Sequence, residues 1–310
     1  MPALTLLVVA DPESPYLKPL DRLPKDARLI VTNDPARLRA AAPDADVLVN
    51  GDFRDSRAFL ETFPLAKKLR WVHVLSAGVE KQLSPEIIAS PVPMTNGRGV
   101  FSRPLGEWAI GVMIYFAYDF PRMLRNQRAH KWGAYSHEEL HGRTVTIVGY
   151  GDIGQAVGSR AEAFGMRVLP IRSRHQPAEL LDAIAAADYI AVTAPLTNQT
   201  RGMIGARQIA AMKPDAVLIN VGRGPIVDES ALVAALQQGK IRGAALDVFD
   251  TEPLPANHPF WNMGNVIVSP HSADILSNSR EMAVESFVEN FLRFVKGEPL
   301  KNIVNKHAGY

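Results

Sequence analysis

Three segments in the second half of the chain each carry a residue type that does chemistry, and each follows a short apolar run. In 218–228 (Leu-Ile-Asn-Val-Gly-Arg-Gly-Pro-Ile-Val-Asp), Arg223 stands between Gly222 and Gly224. In 245–254 (Ala-Leu-Asp-Val-Phe-Asp-Thr-Glu-Pro-Leu), the acids Asp247 and Glu252 follow the next run. In 266–273 (Val-Ile-Val-Ser-Pro-His-Ser-Ala) the residue is His271. A guanidinium grips an anion in a fork, an imidazole exchanges a proton near neutral pH, and a nearby carboxylate adjusts that imidazole's charge. In an open α/β sheet, ligands bind beyond the carboxyl ends of the strands. If the apolar runs are such strands, Arg223, Glu252 and His271 meet around one small site.

A fourth segment points to a nucleotide. Gly149-Tyr-Gly151-Asp152-Ile153-Gly154 follows the apolar run 145–148 and opens a helical stretch over 155–164. A glycine turn set between strand and helix has a mechanism. Gly149 permits the tight turn, Gly151 lets backbone approach a pyrophosphate, and Gly154 lets the helix lie close to the strand. The helix N-terminus supplies N–H donors and positive dipole. The following strand, 167–171, selects the nucleotide. An NAD site places an acid at its end to bind the ribose hydroxyls. Here the strand ends in Arg172-Ser173-Arg174, with Arg172 18 residues past Gly154, where the acid is expected. Arginine can fork a 2′-phosphate that a carboxylate would repel, and serine can donate to it. NADP is therefore the preferred cofactor, with NAD the alternative.

The elements that must position these residues can be read on either side of them. Apolar runs at 4–9, 27–32, 46–49, 69–75 and 92–95 alternate with helical stretches such as 35–42, and they lack clear in/out alternation. That pattern suits parallel strands covered on both faces. A second series follows at 144–149, 167–171, 189–193, 216–220, 243–246 and 265–268, with helices at 155–164 and 229–238 between its members. An amphipathic helix over 280–296 closes the chain. Between the two series a single helix is expected over 104–130, bent at Pro121. It is apolar all round, so it packs inside the protein or against a second copy.

Composition sets the frame. The chain has 310 residues, 47% hydrophobic and 21% charged, with net charge +2 and no cysteine. The length suggests two domains and the composition an ordered chain. Disulfides, thiolate metal sites and cysteine nucleophiles are excluded, and no metal ligand is assigned. The small net charge gives no reason to expect nucleic acid or a membrane surface as partner. The first ten residues lack a basic stretch and run into Asp11 and Pro12, so they are expected as a strand rather than a leader. A cytoplasmic protein is the expectation.

Taken in this order, Asn-Val-Gly-Arg-Gly, Asp-Val-Phe-Asp-Thr-Glu-Pro and Ser-Pro-His-Ser-Ala, together with Ser76-Ala-Gly-Val79 and the glycine turn, closely resemble the D-isomer-specific 2-hydroxyacid dehydrogenase family. The resemblance implies an α/β protein of two doubly wound parallel-sheet domains. A Rossmann cofactor domain (99–275) is inserted into a flavodoxin-like substrate domain (1–98 and 276–310). It implies hydride transfer from NAD(P)H to a small 2-keto acid, giving the D-2-hydroxy acid. In that scheme His271 donates the proton, Glu252 favours and orients its imidazolium, and Arg223 binds the carboxylate and polarises the keto group. Gly222 and Gly224 leave room for nicotinamide and substrate to approach the backbone. Asp247 falls near the nicotinamide carboxamide, and Ala194, Pro195, Thr200 and Val221 along the cofactor. The N–H groups of Ala77, Gly78 and Val79 form a second clamp on the substrate carboxylate. A homodimer through the helix around 104–130 is also implied, with Trp132 either near the site mouth or dimer arm or packed in the core.

Within the family, the Arg172-Ser-Arg174 signature is similar to that of NADPH-preferring glyoxylate/hydroxypyruvate reductases. Alternatives are a D-lactate or phosphoglycerate type of dehydrogenase, or a nucleotide-sensing corepressor on the same fold. Val100 stands where many D-lactate dehydrogenases have tyrosine.

Overall fold

The structure is a computed structural model that describes residues 4–53 and 55–310; residues 1–3, which begin the expected N-terminal strand segment, lie outside them. Two compact units divide the chain. One takes the chain up to Phe101 and again from Leu276 to Tyr310, and the other is Ser102–Ile275.

The first unit contains β1 (Thr5–Val9), β2 (Arg28–Thr32), β3 (Val47–Asn50), β4 (Trp71–Val74) and β5 (Met94–Asn96), in the order β2-β1-β3-β4-β5. All pairings are parallel, and their register lines up Ile30, Leu7, Leu48, Val72 and Met94 in one row across the sheet. Leu38, Phe59 and Ile87 close the core over that face. The two-residue period of a strand turns Trp71 and His73 to the opposite face. There the helix Ser279–Val295 brings Phe287, Phe291 and Phe294 against Trp71, with the Phe287 ring stacked on it at 5.3 Å. The chain returns to this unit because its sheet needs that helix to cover an aromatic face. Burial holds the His73 imidazole down to about 3, so it is a neutral core residue bonded to the Thr95 hydroxyl.

The second unit contains β6 (Thr144–Val148), β7 (Arg167–Ile171), β8 (Tyr189–Val192), β9 (Val217–Asn220), β10 (Gly243–Leu246) and β11 (Val266–Val268). Their order is β7-β6-β8-β9-β10-β11, again parallel throughout. The chain steps outward from β6 to β7 and then crosses back to β8. The order therefore reverses between β6 and β8, the crevice where open sheets of this kind bind ligands.

The expected single helix over 104–130 is two helices, Ser102–Ala117 and Phe120–Arg128. The break falls before Pro121 rather than at it. Asp119 adopts a left-handed conformation (φ 49°), and its carboxylate accepts from the Arg122 N–H at 3.2 Å, capping the second helix. Pro121 sits in the first turn, where a missing N–H costs nothing. The first helix is largely buried within its own unit, through Leu105, Ala109, Met113, Phe116 and Ala117. Tyr118, Met123, Leu124 and the fully exposed Trp132 lie on the surface of the chain that follows. Trp132 thus does not belong to the core of its unit. Among the described residues no helix is long and apolar enough to cross a membrane.

Candidate active site at the carboxyl edge of the second sheet

Parallel pairing places every strand's carboxyl end on the same edge. Gly149 follows β6, Arg172 follows β7, Thr193 and Ala194 follow β8, Arg223 follows β9, Asp247 follows β10 and His271 follows β11. Each of the six strand ends carries a residue singled out in the sequence, and the sheet gathers them without any further device.

The glycine turn has the form that a dinucleotide needs. Gly149 has φ +94°, and a Cβ there would stand 2.4 Å from the Ala194 Cα, so only glycine fits at the β6/β8 crevice. A Cβ on Gly154 would lie 2.3 Å from the Gly149 carbonyl oxygen. Gly151 differs from both: a Cβ there meets no atom within 4 Å. Packing within the protein does not call for glycine at 151, whereas close approach by a pyrophosphate does. Gly151 also precedes the helix Asp152–Ala163, whose first turn receives no side-chain cap. Asp152, Ile153 and Gly154 open that helix, and the Thr193 hydroxyl donates to the Gly149 carbonyl. The donors and the open space fit an anionic dinucleotide.

At the end of β7, Arg172, Ser173 and Arg174 are all exposed. The Arg172 guanidinium lies over the Tyr150 ring at 4.8 Å from its centroid. Pro195 and Thr200 are joined by a 2.7 Å bond from the Thr200 hydroxyl to the Pro195 carbonyl, which closes the loop after β8. Val221 continues β9 through its N–H to the Val192 carbonyl, and its side chain is buried.

The histidine and its partners are held by a dense set of bonds. His271 Nδ1 and Glu252 Oε2 are 2.8 Å apart, while the other carboxylate oxygen of Glu252 accepts the Phe249 N–H at 3.1 Å. The bond to Glu252 raises the His271 imidazole above its ordinary value against an opposing effect of burial. Burial alone would raise Glu252, but the bonds from His271 and from the Phe249 N–H hold its carboxyl below the usual range. Both shifts favour an imidazolium–carboxylate pair, and they leave Nε2 as the ring atom able to give a proton.

His271 itself has φ 51°, unusual for a residue with a bulky side chain. Its N–H donates to the Asp247 carbonyl at 2.8 Å, and Asp247 Oδ1 accepts from the Ser269 hydroxyl (2.6 Å) and from the N–H groups of Ser272 (2.8 Å) and Ala273 (3.0 Å). Asp247, only 2% exposed, is thus the post around which the histidine loop is wound. On the arginine side, the Asn220 side chain spans Gly222 N–H and the Arg223 carbonyl, and Arg223 Nη1 donates to the Gly222 carbonyl at 2.7 Å. A Cβ on Gly224 would lie 2.0 Å from the Phe249 carbonyl carbon, so the arginine turn rests directly on the loop that carries Glu252. The Arg223 charge reaches both Glu252 and His271.

In the other unit, the loop after β4 has its own bracing. The Asn96 side chain donates to the Ala77 carbonyl at 2.6 Å, and the Ser76 hydroxyl to the Gly78 carbonyl at 2.8 Å. The N–H groups of Ala77, Gly78 and Val79 make no bond among the described residues.

Two residues near these groups escaped the sequence reading. Tyr150 lies between two of the turn glycines, and its place beneath Arg172 appears only when β6 and β7 are paired. Asp274 lies in the turn after His271; burial pushes its carboxyl up, Asp247 adds to this, and His271 opposes it. Its spacing of three from His271 carried no signal of its own.

Residues 110–273 match the family model described as D-isomer specific 2-hydroxyacid dehydrogenase, NAD binding domain. The chain is 34% identical to a glyoxylate reductase of Korarchaeum cryptofilum, with 80% of each chain covered. It is also 34% identical to glyoxylate/hydroxypyruvate reductase B of Salmonella newport, with 88% of each covered. Among solved structures, an NADPH-dependent glyoxylate/hydroxypyruvate reductase from Sinorhizobium meliloti, in complex with NADP and sulfate, superposes with a TM-score of 0.85 at 27% identity, covering 99% of this chain and 100% of that one.

Proposed function

The chain belongs to the D-isomer specific 2-hydroxyacid dehydrogenase family, and from that premise we propose that it reduces a small 2-keto acid of the glyoxylate or hydroxypyruvate kind to the D-2-hydroxy acid, preferring NADPH. The observation that carries the proposal is the 2.8 Å bond between His271 and Glu252, on the sheet edge shared with Arg223 and the glycine turn. Gly149, Gly151, Asp152, Ile153 and Gly154 would hold the pyrophosphate, and Ala194, Pro195, Thr200, Val221, Gly222 and Asp247 would line the rest of the dinucleotide. The dinucleotide, when bound, supplies the hydride to the keto carbon. Arg223 holds the substrate carboxylate and draws charge onto the keto oxygen. His271 gives its Nε2 proton to that oxygen as the C–O double bond becomes a single bond, and Glu252 stabilises the imidazolium beforehand.

Ser102–Ile275 is accordingly the nucleotide domain, corresponding to 99–275 in the sequence reading. The unit made of the two chain ends selects the substrate, and the N–H groups of Ala77, Gly78 and Val79 are donors suited to a carboxylate. Arg172, Ser173 and Arg174 are the groups offered to a 2′-phosphate. The exposed Tyr118, Met123, Leu124 and Trp132 support a homodimer formed through the 104–130 region, which sedimentation equilibrium would test.

The test is NADPH oxidation, followed by absorbance, with 2-keto acids of increasing size. Rapid keto-acid-dependent oxidation with the smallest members is expected. Nucleotide binding with no turnover on any keto acid would refute the proposal and favour a nucleotide-sensing protein.

A further inference from the structure

We infer that Tyr150 is a positioning residue for cofactor selection: its ring is the platform that holds the Arg172 guanidinium where a 2′-phosphate is read. The inference rests on the NADP assignment made above. Arg172 is exposed at the end of β7, and a free arginine side chain gives up rotamer freedom when it grips a ligand. Here the residue is already restrained at two points, one on its side chain and one on its backbone. Its guanidinium lies over the Tyr150 ring, 4.8 Å from the centroid, within reach of the cation–π attraction. Its backbone is fixed by a closed turn, in which the Arg172 N–H donates to His175 Nδ1 at 2.9 Å and the His175 N–H donates back to the Arg172 carbonyl at 2.9 Å.

The platform is itself held in place. Tyr150 leans on the helix Asp152–Ala163 at Gly158, where an added Cβ would stand 2.6 Å from the tyrosine hydroxyl oxygen and 3.1 Å from the nearest ring carbon. Glycine at 158 therefore leaves the gap that the ring fills. β6 and β7 pair with Val148 opposite Ile171, which brings the residues just beyond them, Tyr150 and Arg172, to neighbouring positions on the carboxyl edge. A planar guanidinium stacked on one face keeps its N–H edge free for the two-pronged grip on phosphate. The Arg-Ser-Arg signature alone would not distinguish a held arginine from a mobile one.

Calorimetric titration with 2′,5′-ADP and 5′-AMP, two nucleotides that differ by the 2′-phosphate, tests this without turnover. The 5′-AMP affinity of each variant is the internal reference for an intact site, and the ratio of the two affinities is the readout. Tyr150→Leu is expected to reduce the preference for 2′,5′-ADP about two- to fivefold, the size of an exposed cation–π contact. Tyr150→Phe keeps the ring face and is expected to keep the preference. Arg172→Ala is expected to lose most of it, and adding Tyr150→Leu to Arg172→Ala should cause no further loss, because the two residues act through one contact. If Tyr150→Leu retains the full preference while Arg172→Ala loses it, the platform is refuted and the NADP assignment stands. If Tyr150→Phe loses as much as Tyr150→Leu, the ring face is not the acting feature and the inference fails. If Arg172→Ala retains the preference, the cofactor assignment fails and this inference with it.

Discussion

Gly224→Ala should damage stability and turnover together, because the arginine turn and the glutamate loop are in backbone contact at that residue. An added Cβ would lie 2.0 Å from the Phe249 carbonyl carbon and 2.1 Å from its oxygen, where ordinary contact begins at 3.4 Å. Both atoms are backbone, so no rotamer change relieves the clash. One loop must retreat from the other by about 1.4 Å. Forcing an extra carbon into a packed site of this kind costs about 1–3 kcal/mol. The retreat also separates Arg223 from Glu252, whose carboxylate is anchored to the Phe249 N–H, and Glu252 carries His271 with it. A displacement of about 1 Å at reacting groups can lower the rate about a hundredfold. The assay pairs urea unfolding midpoints with kcat/KM for glyoxylate and NADPH. Gly264→Ala serves as control, since a Cβ there meets nothing within 4 Å. Loss of stability with full kcat/KM would show that the two loops are not coupled through this contact. Wild-type behaviour in both measurements would refute the packing itself.

Further expectations concern the proton donor and its support. His271 lies above its ordinary value because of its bond to Glu252, so the protonated form needed for reduction persists to higher pH than in a free imidazole. The keto-acid reduction rate should fall as pH rises through the raised value, and Glu252→Gln should move that fall to lower pH; an unmoved limb in the kcat/KM profile would contradict the assignment. Asp247→Ala should destabilise the protein by about 1–3 kcal/mol by unfolding measurement, because it removes a charged acceptor shared by the Ser269 hydroxyl and the half-buried N–H groups of Ser272 and Ala273. Asp247→Leu as stable as wild type would show that these bonds do not hold the histidine loop.

Much of this architecture is legible before any coordinates. All eleven strands match apolar runs in the sequence, with β3 and β5 each extending one residue beyond theirs, and the return of the last helix follows from the family resemblance. The segments bearing Arg223, Glu252 and His271 can be read because each stands just beyond a strand, and parallel pairing does the rest. Other features depend on neighbours distant in sequence. The helix break at Asp119 turns on one left-handed residue, and apolar periodicity runs on through it. Tyr150 gains its place only through the register of β6 with β7 and the gap at Gly158. Asp247 looks from its sequence like a ligand contact, yet its Oδ1 is occupied with the loop of His271. Trp132 has the residue type of a core position and lies fully exposed.

The most direct test of the account is the kcat/KM of His271→Asn beside wild type, with glyoxylate as substrate and NADPH binding measured in parallel. The substituted amide can still donate a hydrogen bond but cannot deliver a proton near neutral pH. The account predicts a loss of about 10²–10⁴-fold in kcat/KM that far exceeds any change in the NADPH Kd. Turnover near the wild-type rate would contradict it, and the proton would then have to come from a group other than His271.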